Sequence, residues 1–195
     1  MSNIEEKRTF IHPFNDHDII KGQGTIGIEI FEDLKDVDTV VVPVGGGGLI
    51  SGVSVALKSI NPSIKVIGVE IEETNSMQLS LKDNKLHYTN CGRTFADGIA
   101  VNSPGMLTFE YAKRYVDKIV TVSENEIAEA IMELLSNEKF VVEGSGAVPY
   151  AAFINKKFEY KDDEKIVLMV SGGNIDVQRI CTAIAMGTAV KIHKN

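Results

Sequence analysis

The chain has 195 residues, 44% of them hydrophobic and 24% charged, with a net charge of −7: enough for one globular domain with a sizeable core, or for one large piece of a bigger protein. That charge, with no basic cluster, argues against nucleic acid or an anionic membrane as a main partner, and no apolar run is long enough to span a bilayer. Cys91 and Cys181 fall in no CxxC or metal-ligand spacing and the start, MSNIEEKRTF, has no signal-peptide core, so neither a disulfide nor zinc is expected and the setting reads as cytoplasmic.

In chain order, strand-like and helix-like segments alternate. Thr9–Phe14 (TFIHPF) reads as a short extended segment stopped near Pro13. In DHDIIKGQGTIGIEIFEDL, Ile19, Ile26, Ile30 and Leu34 recur at helical spacing, while Gly22, Gly24 and Gly27 weaken a helix. Those glycines either let another backbone come close or mark a turn before the helix proper. DTVVVPV is a buried strand by composition, with Pro43 removing a ladder donor near its end. LISGVSVALKSI is a helix ending before Asn61 and Pro62, and IKVIGVEI is a second continuous apolar strand. SMQLSLKD is a short helix capped by Asn75 or Ser76, and a loop-rich stretch, HYTNCGRTFADGIAVNSPG, follows.

MLTFEYAKRYV predicts a helix and KIVTV a strand. SENEIAEAIMELLSNEKF opens with Ser123 and, three residues on, Glu126, the spacing of a capping box. GAVPYAAFI predicts another helix, with Pro149 in its first turn or at a kink. KIVLMV is a strand, SGGN a turn, and DVQRICTAIAMGTAV a final helix capped by Asn174 or Asp176. Continuous apolar strands separated by helices define an α/β fold, a parallel twisted sheet with helices on both faces.

The run Gly45–Gly48 follows the first strand and opens a helix. In an open parallel sheet, ligands bind beyond the carboxyl ends of the strands. There the free N–H groups of a helix start, and the positive end of its dipole, make an anion site. Consecutive glycines let those N–H groups fold around a phosphate with no Cβ in the way. A triphosphate loop is excluded, since Leu49, Ile50 and Ser51 follow where Gly-Lys-Ser/Thr is required. A dinucleotide site using Glu70 on the ribose is weak, because GxGxxG fails from either Gly45 or Gly46.

KIVLMVSGGNID repeats the pattern of strand, tight glycine turn and helix. Ser171 is the first polar residue after the strand, in either a plain turn or a binding position. If both turns end strands of one sheet they line one cleft, with a hydroxyl, donor and acceptor both, opposite the phosphate loop. That arrangement suits a flat heteroaromatic ring carrying a phosphate.

These residues resemble a known family. PVGGGGLISG and VLMVSGGNID, in this order, look like the pyridoxal-phosphate enzymes of the tryptophan-synthase β-like fold (fold type II). HPFNDHDIIKGQGTIGIEI is similar to a segment of the threonine/serine dehydratases, and FADGIAV followed by PG resembles a segment that this branch shares with serine racemases. The resemblance runs from about Thr9 onward. It implies that residues 1–195 are the C-terminal portion of a pyridoxal-phosphate-dependent catalytic domain, part of its large domain. Gly45, Gly46, Gly47, Gly48 and Leu49 would hold the cofactor phosphate through backbone N–H groups. Ser171 would hydrogen-bond the pyridine nitrogen, Gly98 would lie along the cofactor's face or edge, and Glu143 would stand behind the groups that touch the ring. A serine at the ring nitrogen does not enforce a protonated pyridinium, so the ring is a weaker electron sink and prompt β-elimination competes better.

The activity implied for the intact protein is deamination of L-threonine, L-serine or both to 2-oxobutanoate or pyruvate and ammonia by β-elimination. The alternatives are a non-catalytic phosphate-ligand-binding module and a serine racemase-like enzyme. The implied partners are a small amino-acid substrate and further copies of the chain in a homo-oligomer. Glu70 matches a cation ligand of some relatives, with the Thr74 carbonyl beside it. Ser76 stands where a further carboxylate is expected, which leaves a weak or monovalent cation site. The competing reading of Glu70 is an exposed strand-end carboxylate. The family's Schiff-base lysine lies further toward the N-terminus in an SxKxRGA context, which this chain lacks. Lys21, Lys35 and Lys58 sit in charged or helix-surface contexts, so no catalytic residue is expected here and the chain alone is expected to be inactive.

Overall fold

The computed structural model describes residues 9–194. Its four strands, β1 (Thr39–Pro43), β2 (Lys65–Ile71), β3 (Lys118–Val122) and β4 (Ile166–Leu168), form one sheet in the order β3-β2-β1-β4. Every neighbouring pair is parallel. Around it run α1 (His17–Asp33), α2 (Gly48–Ile60), α3 (Ser76–Asp83), α4 (Met106–Tyr115), α5 (Glu124–Glu133), α6 (Gly144–Ile154) and α7 (Val177–Lys194).

The apolar strand runs serve two cores at once. Val40 and Val42 of β1 pack with Ile50, Val53 and Leu57 of α2 and Phe109 of α4. Val41, between them, packs instead with Ile127 and Ile131 of α5 and with Ala147 and Ala151 of α6. Successive side chains of a strand point to opposite faces, so a strand covered on both sides shows no polar alternation. The expected parallel α/β sheet is therefore present, with α1, α2 and α4 on one face and α5 and α6 on the other.

Four local expectations are corrected. TFIHPF forms no strand: His12 Nδ1 accepts from the Phe14 and Asn15 N–H groups at 3.4 and 3.0 Å, which turns the chain over the sheet's end. Neither Asn75 nor Ser76 caps α3 with its side chain. Its first N–H groups, from Met77 and Gln78, donate instead to the two carboxylate oxygens of Glu70, both at 2.8 Å. Pro149 lies inside α6, beyond its first turn, because the helix starts at Gly144 rather than Gly146. β4 keeps only three residues of the six-residue segment KIVLMV, although the Met169 N–H still donates to the Val41 carbonyl at 3.0 Å.

The remaining assignments hold. The Ser123–Glu126 capping box forms in full. Asp176, rather than Asn174, caps α7 by accepting the Arg179 N–H at 2.9 Å. The glycines of α1 interrupt nothing: the helix runs unbroken through Gly22, Gly24 and Gly27. Gly27 and Gly52 let α1 and α2 touch, since a Cβ on Gly27 would stand 2.9 Å from the Val53 carbonyl oxygen and one on Gly52 only 2.3 Å from that of Ile20. Of the two readings of the α1 glycines, close backbone approach is the correct one.

Strand order also fixes where a ligand sits. From β1 the chain moves outward to β2 and β3, then returns to place β4 on the other side of β1. The loops leaving β1 and β4 diverge from adjacent strands, and such a switch point opens a crevice at the carboxyl end of the sheet.

Candidate functional site

At that switch point Gly45, Gly46, Gly47, Gly48 and Leu49 line a cleft of about 310 Å³ together with Gly98, Glu143 and Ser171. The volume lies at the lower end of the range of about 300–1,000 Å³ usual for small-molecule sites. All eight residues expected around a cofactor thus meet in one place, although they come from four separate stretches of chain.

The glycine loop is braced from the protein side. Gly47 caps α2 in the left-handed conformation, φ 91°, and no side chain accepts from the helix's first N–H groups. Those N–H groups have no carbonyl one turn back, so they remain for an anion at the cleft. Thr108 Oγ1 donates to the Gly46 carbonyl at 2.6 Å, and Asn15 Oδ1 accepts the Leu107 N–H at 2.9 Å. The Phe14 ring lies against Gly46, where a Cβ would meet its carbons at 2.4 Å. Side chains are therefore excluded here partly because the protein itself closes on the loop.

The second turn is held by Glu143. Its carboxylate accepts the Asn174 N–H at 3.0 Å, and its own N–H donates to the Gly172 carbonyl at 3.1 Å. Ser171, just before this turn, is exposed in the cleft. Gly98 sits in a short turn, Asp97–Ile99, where a Cβ would stand 2.8 Å from Ser145 Oγ. Ser145 is only 3% exposed and its Oγ has no hydrogen-bond partner among the described residues.

Sequence reasoning missed Phe14 and Ser145 as cleft residues. Both lie in stretches that drew notice for their neighbours, HPFND for the segment and EGSGA for Glu143. Ser145 carries a readable signal, a lone hydroxyl in a run of small and apolar residues that follows a carboxylate.

Glu70 lies away from the cleft lining and is 1% exposed, so the exposed strand-end reading is wrong. Burial pushes its carboxyl up to about 8, against the pull of the Met77 and Gln78 N–H bonds. No group of three or more His, Cys, Asp or Glu side chains able to hold a metal ion occurs among the described residues. The linkage sign follows from the raised value. Below about 4.5 both folded and unfolded forms are protonated; between 4.5 and 8 only the folded form keeps the proton. Stability attributable to Glu70 is thus full below the lower value and is lost as pH rises, by about 1.4 kcal/mol per unit crossed. Glu70→Gln mimics the protonated group at every pH. Thermal melts of the two proteins should agree near pH 4, and the wild type should fall progressively below the variant by pH 8; parallel curves would show that Glu70 is ionised throughout.

Among the described residues, no lysine lines the cleft. What the residues present do fit is a phosphorylated ring: a glycine cradle and an exposed hydroxyl in one cleft, with an unpaired buried Ser145 Oγ in its wall. No helix of the described residues is long and apolar enough to cross a membrane.

Comparison with known proteins agrees with this geometry. The chain is 56% identical over 186 residues to an L-threonine ammonia-lyase of Thermotoga maritima, covering 94% of this chain and 46% of that protein. It is 48% identical to the catabolic L-threonine dehydratase TdcB of Escherichia coli K12, covering 90% and 54%. The chain therefore spans about half the length of these curated relatives. Among solved structures, a processed threonine deaminase isoform 2 from Solanum lycopersicum superposes with a TM-score of 0.86 at 38% identity, over 94% of this chain and 54% of that one. Maize serine racemase superposes with a TM-score of 0.85 at 33% identity, over 99% and 59%. A family model described as pyridoxal-phosphate dependent enzyme matches residues 2–172. With the fold of these structures, two glycine turns at one switch point and a match across most of its length, the chain belongs to the pyridoxal-phosphate dependent enzyme family.

Proposed function

We propose that residues 1–195 form the C-terminal portion of the catalytic domain of a threonine dehydratase, which deaminates L-threonine, L-serine or both to the 2-oxo acid and ammonia. The observation that carries this reading is the single cleft in which Gly45–Leu49, Gly98, Glu143 and Ser171 converge. When bound, pyridoxal phosphate supplies the electron sink that lets a Cα–H bond and a β-substituent part. In this reading the α2 N-terminus holds the phosphate, and the Ser171 hydroxyl holds the ring nitrogen without fixing a proton on it. Gly98 leaves room for the ring, and Glu143 keeps Ser171 in place by fixing the turn that follows it.

The proton-transferring lysine lies outside this chain in the same reading, since no lysine among the described residues lines the cleft and the sequence has no SxKxRGA motif. β4 pairs only with β1 among the described residues, and Val170 and Val177 beside it are 43% and 73% exposed. An uncovered sheet edge with apolar neighbours supports further structure there, from the rest of the catalytic domain or from a homo-oligomer. A cation at Glu70 and the Thr74 carbonyl is weak or monovalent, because both Glu70 oxygens already accept N–H bonds. The net charge of −7 argues against a nucleic-acid partner, and two free cysteines outside any disulfide or metal-ligand spacing support a cytoplasmic setting.

The test measures 2-oxo acid release from threonine and from serine. This chain alone should give none, and a chain extended toward the N-terminus with an SxKxRGA-bearing segment should turn over. Release by this chain alone would overturn the lysine argument. An inactive extended chain would overturn the dehydratase reading, and D-serine formation without 2-oxo acid would replace it with a racemase.

A further inference from the structure

Ser145 is the second residue of α6 and is almost fully buried, yet its Oγ meets no partner among the described residues. Buried hydroxyls are nearly always hydrogen-bonded. A helical serine usually satisfies itself on a carbonyl one turn back. Ser145 has no helical carbonyl there, because α6 begins only one residue before it. It lies on the wall of the cleft, against Gly98 and next but one to Glu143. The glycine loop and Ser171 line the same cleft as Ser145, so in the cofactor reading a ring held by the first two lies beside this wall.

We propose that Ser145 is a further ligand-contacting residue of the cleft, its hydroxyl hydrogen-bonding an oxygen substituent of a bound phosphorylated hydroxypyridine. The inference rests on the cofactor reading above and adds a contact to it. The phosphate of such a ligand is served by backbone N–H groups at Gly45–Leu49, and its ring nitrogen by Ser171. The ring hydroxyl and the neighbouring hydroxymethyl oxygen are the groups left for a neutral hydroxyl, which both donates and accepts. Ser145 would then tell a hydroxylated ring from a bare phosphate, a discrimination that the glycine loop alone does not make.

The probes are pyridoxine 5′-phosphate, which forms no imine and so needs no lysine, and inorganic phosphate. Both are titrated calorimetrically into this chain and its variants. Ser145→Ala should weaken pyridoxine 5′-phosphate about fivefold, the size of one neutral hydrogen bond, and leave phosphate affinity unchanged. Ser145→Thr, which keeps the hydroxyl, should recover most of the ring compound's affinity. A thermal melt of each variant separates loss of contact from loss of fold. Equal weakening of both probes, or no weakening of the ring compound, would overturn the role of Ser145 while the cofactor site stands. If the unsubstituted chain binds pyridoxine 5′-phosphate no better than phosphate, the cofactor reading falls and this inference with it.

Discussion

Gly47→Asp should abolish binding of pyridoxal phosphate and of inorganic phosphate, raising the dissociation constant about 100-fold or more. Three effects act together. Gly47 holds φ 91°, a conformation that costs a non-glycine residue roughly 1–3 kcal/mol. A Cβ there would stand 2.6 Å from Met77 Cε and 2.8 Å from Thr108 Cβ. Most important is charge: Gly47 is the N-cap of α2, where an aspartate accepts from the first-turn N–H groups. The variant carboxylate would take the donors that the phosphate needs and repel the phosphate as well. The strain at φ 91° and the Met77 and Thr108 contacts cost stability as well, so a thermal melt of Gly47→Asp separates loss of binding from loss of fold. Gly47→Ala carries the strain without the charge and should weaken binding about tenfold. Calorimetric titration with both ligands, and with NAD as a compound that should not bind, checks this. Wild-type affinity in Gly47→Asp would place the phosphate elsewhere.

The parts of the site legible in the sequence are those whose chemistry is local. Four consecutive glycines between a β-branched run and a helical pattern announce a backbone-lined anion site, and Gly45–Gly48 form one wall of the cleft. Ser171 after a second apolar strand announces a polar group at a strand end, and it reaches the same cleft. That β1 and β4 are neighbours is not local information; it depends on the crossover through α5 and α6 that returns the chain past β1. Sequence leaves it as a condition, that both turns end strands of one sheet, and resemblance supplied Gly98 and Glu143, whose positions no periodicity reveals. The misreadings have two causes. His12 turns a segment that looks extended by accepting from the nearby Phe14 and Asn15 N–H groups, a local contact that strand propensity ignores, whereas Glu70 reaches across a turn to cap a helix that begins six residues on. Local propensity marks Asn75 or Ser76 as the cap of α3 because capping is usually local. A buried carboxylate from the preceding strand overrides it, and its desolvation then gives Glu70 a raised pKa that a solvated carboxylate lacks.

The same limit makes the glycines of α1 instructive, because one residue type should give opposite results at two seats in one helix pair. Gly52→Val should cost about 3 kcal/mol or more. A Cβ at Gly52 would lie 2.3 Å from the Ile20 carbonyl oxygen, 2.6 Å from the Gly24 nitrogen and 2.8 Å from the Gln23 carbonyl carbon. All three are backbone atoms, so no rotamer change relieves the clash and α1 must move away from α2. Gly22, one turn from the seam's centre, is exposed and has nothing within 4 Å of an added Cβ. Gly22→Ala removes only the entropic cost of glycine in a helix interior and should stabilise by about 0.5–1 kcal/mol. The functional consequence separates the two further. α2 carries the glycine loop at its N-terminus, so displacing α2 from α1 shifts the loop against Phe14, which the α1 entry holds over Gly46. Gly52→Val should therefore lose phosphate affinity along with stability, whereas Gly22→Ala should gain stability with affinity unchanged. Urea unfolding paired with phosphate titration reads both quantities. A Gly52→Val chain of wild-type stability would mean that the helices stand further apart than the seam described above.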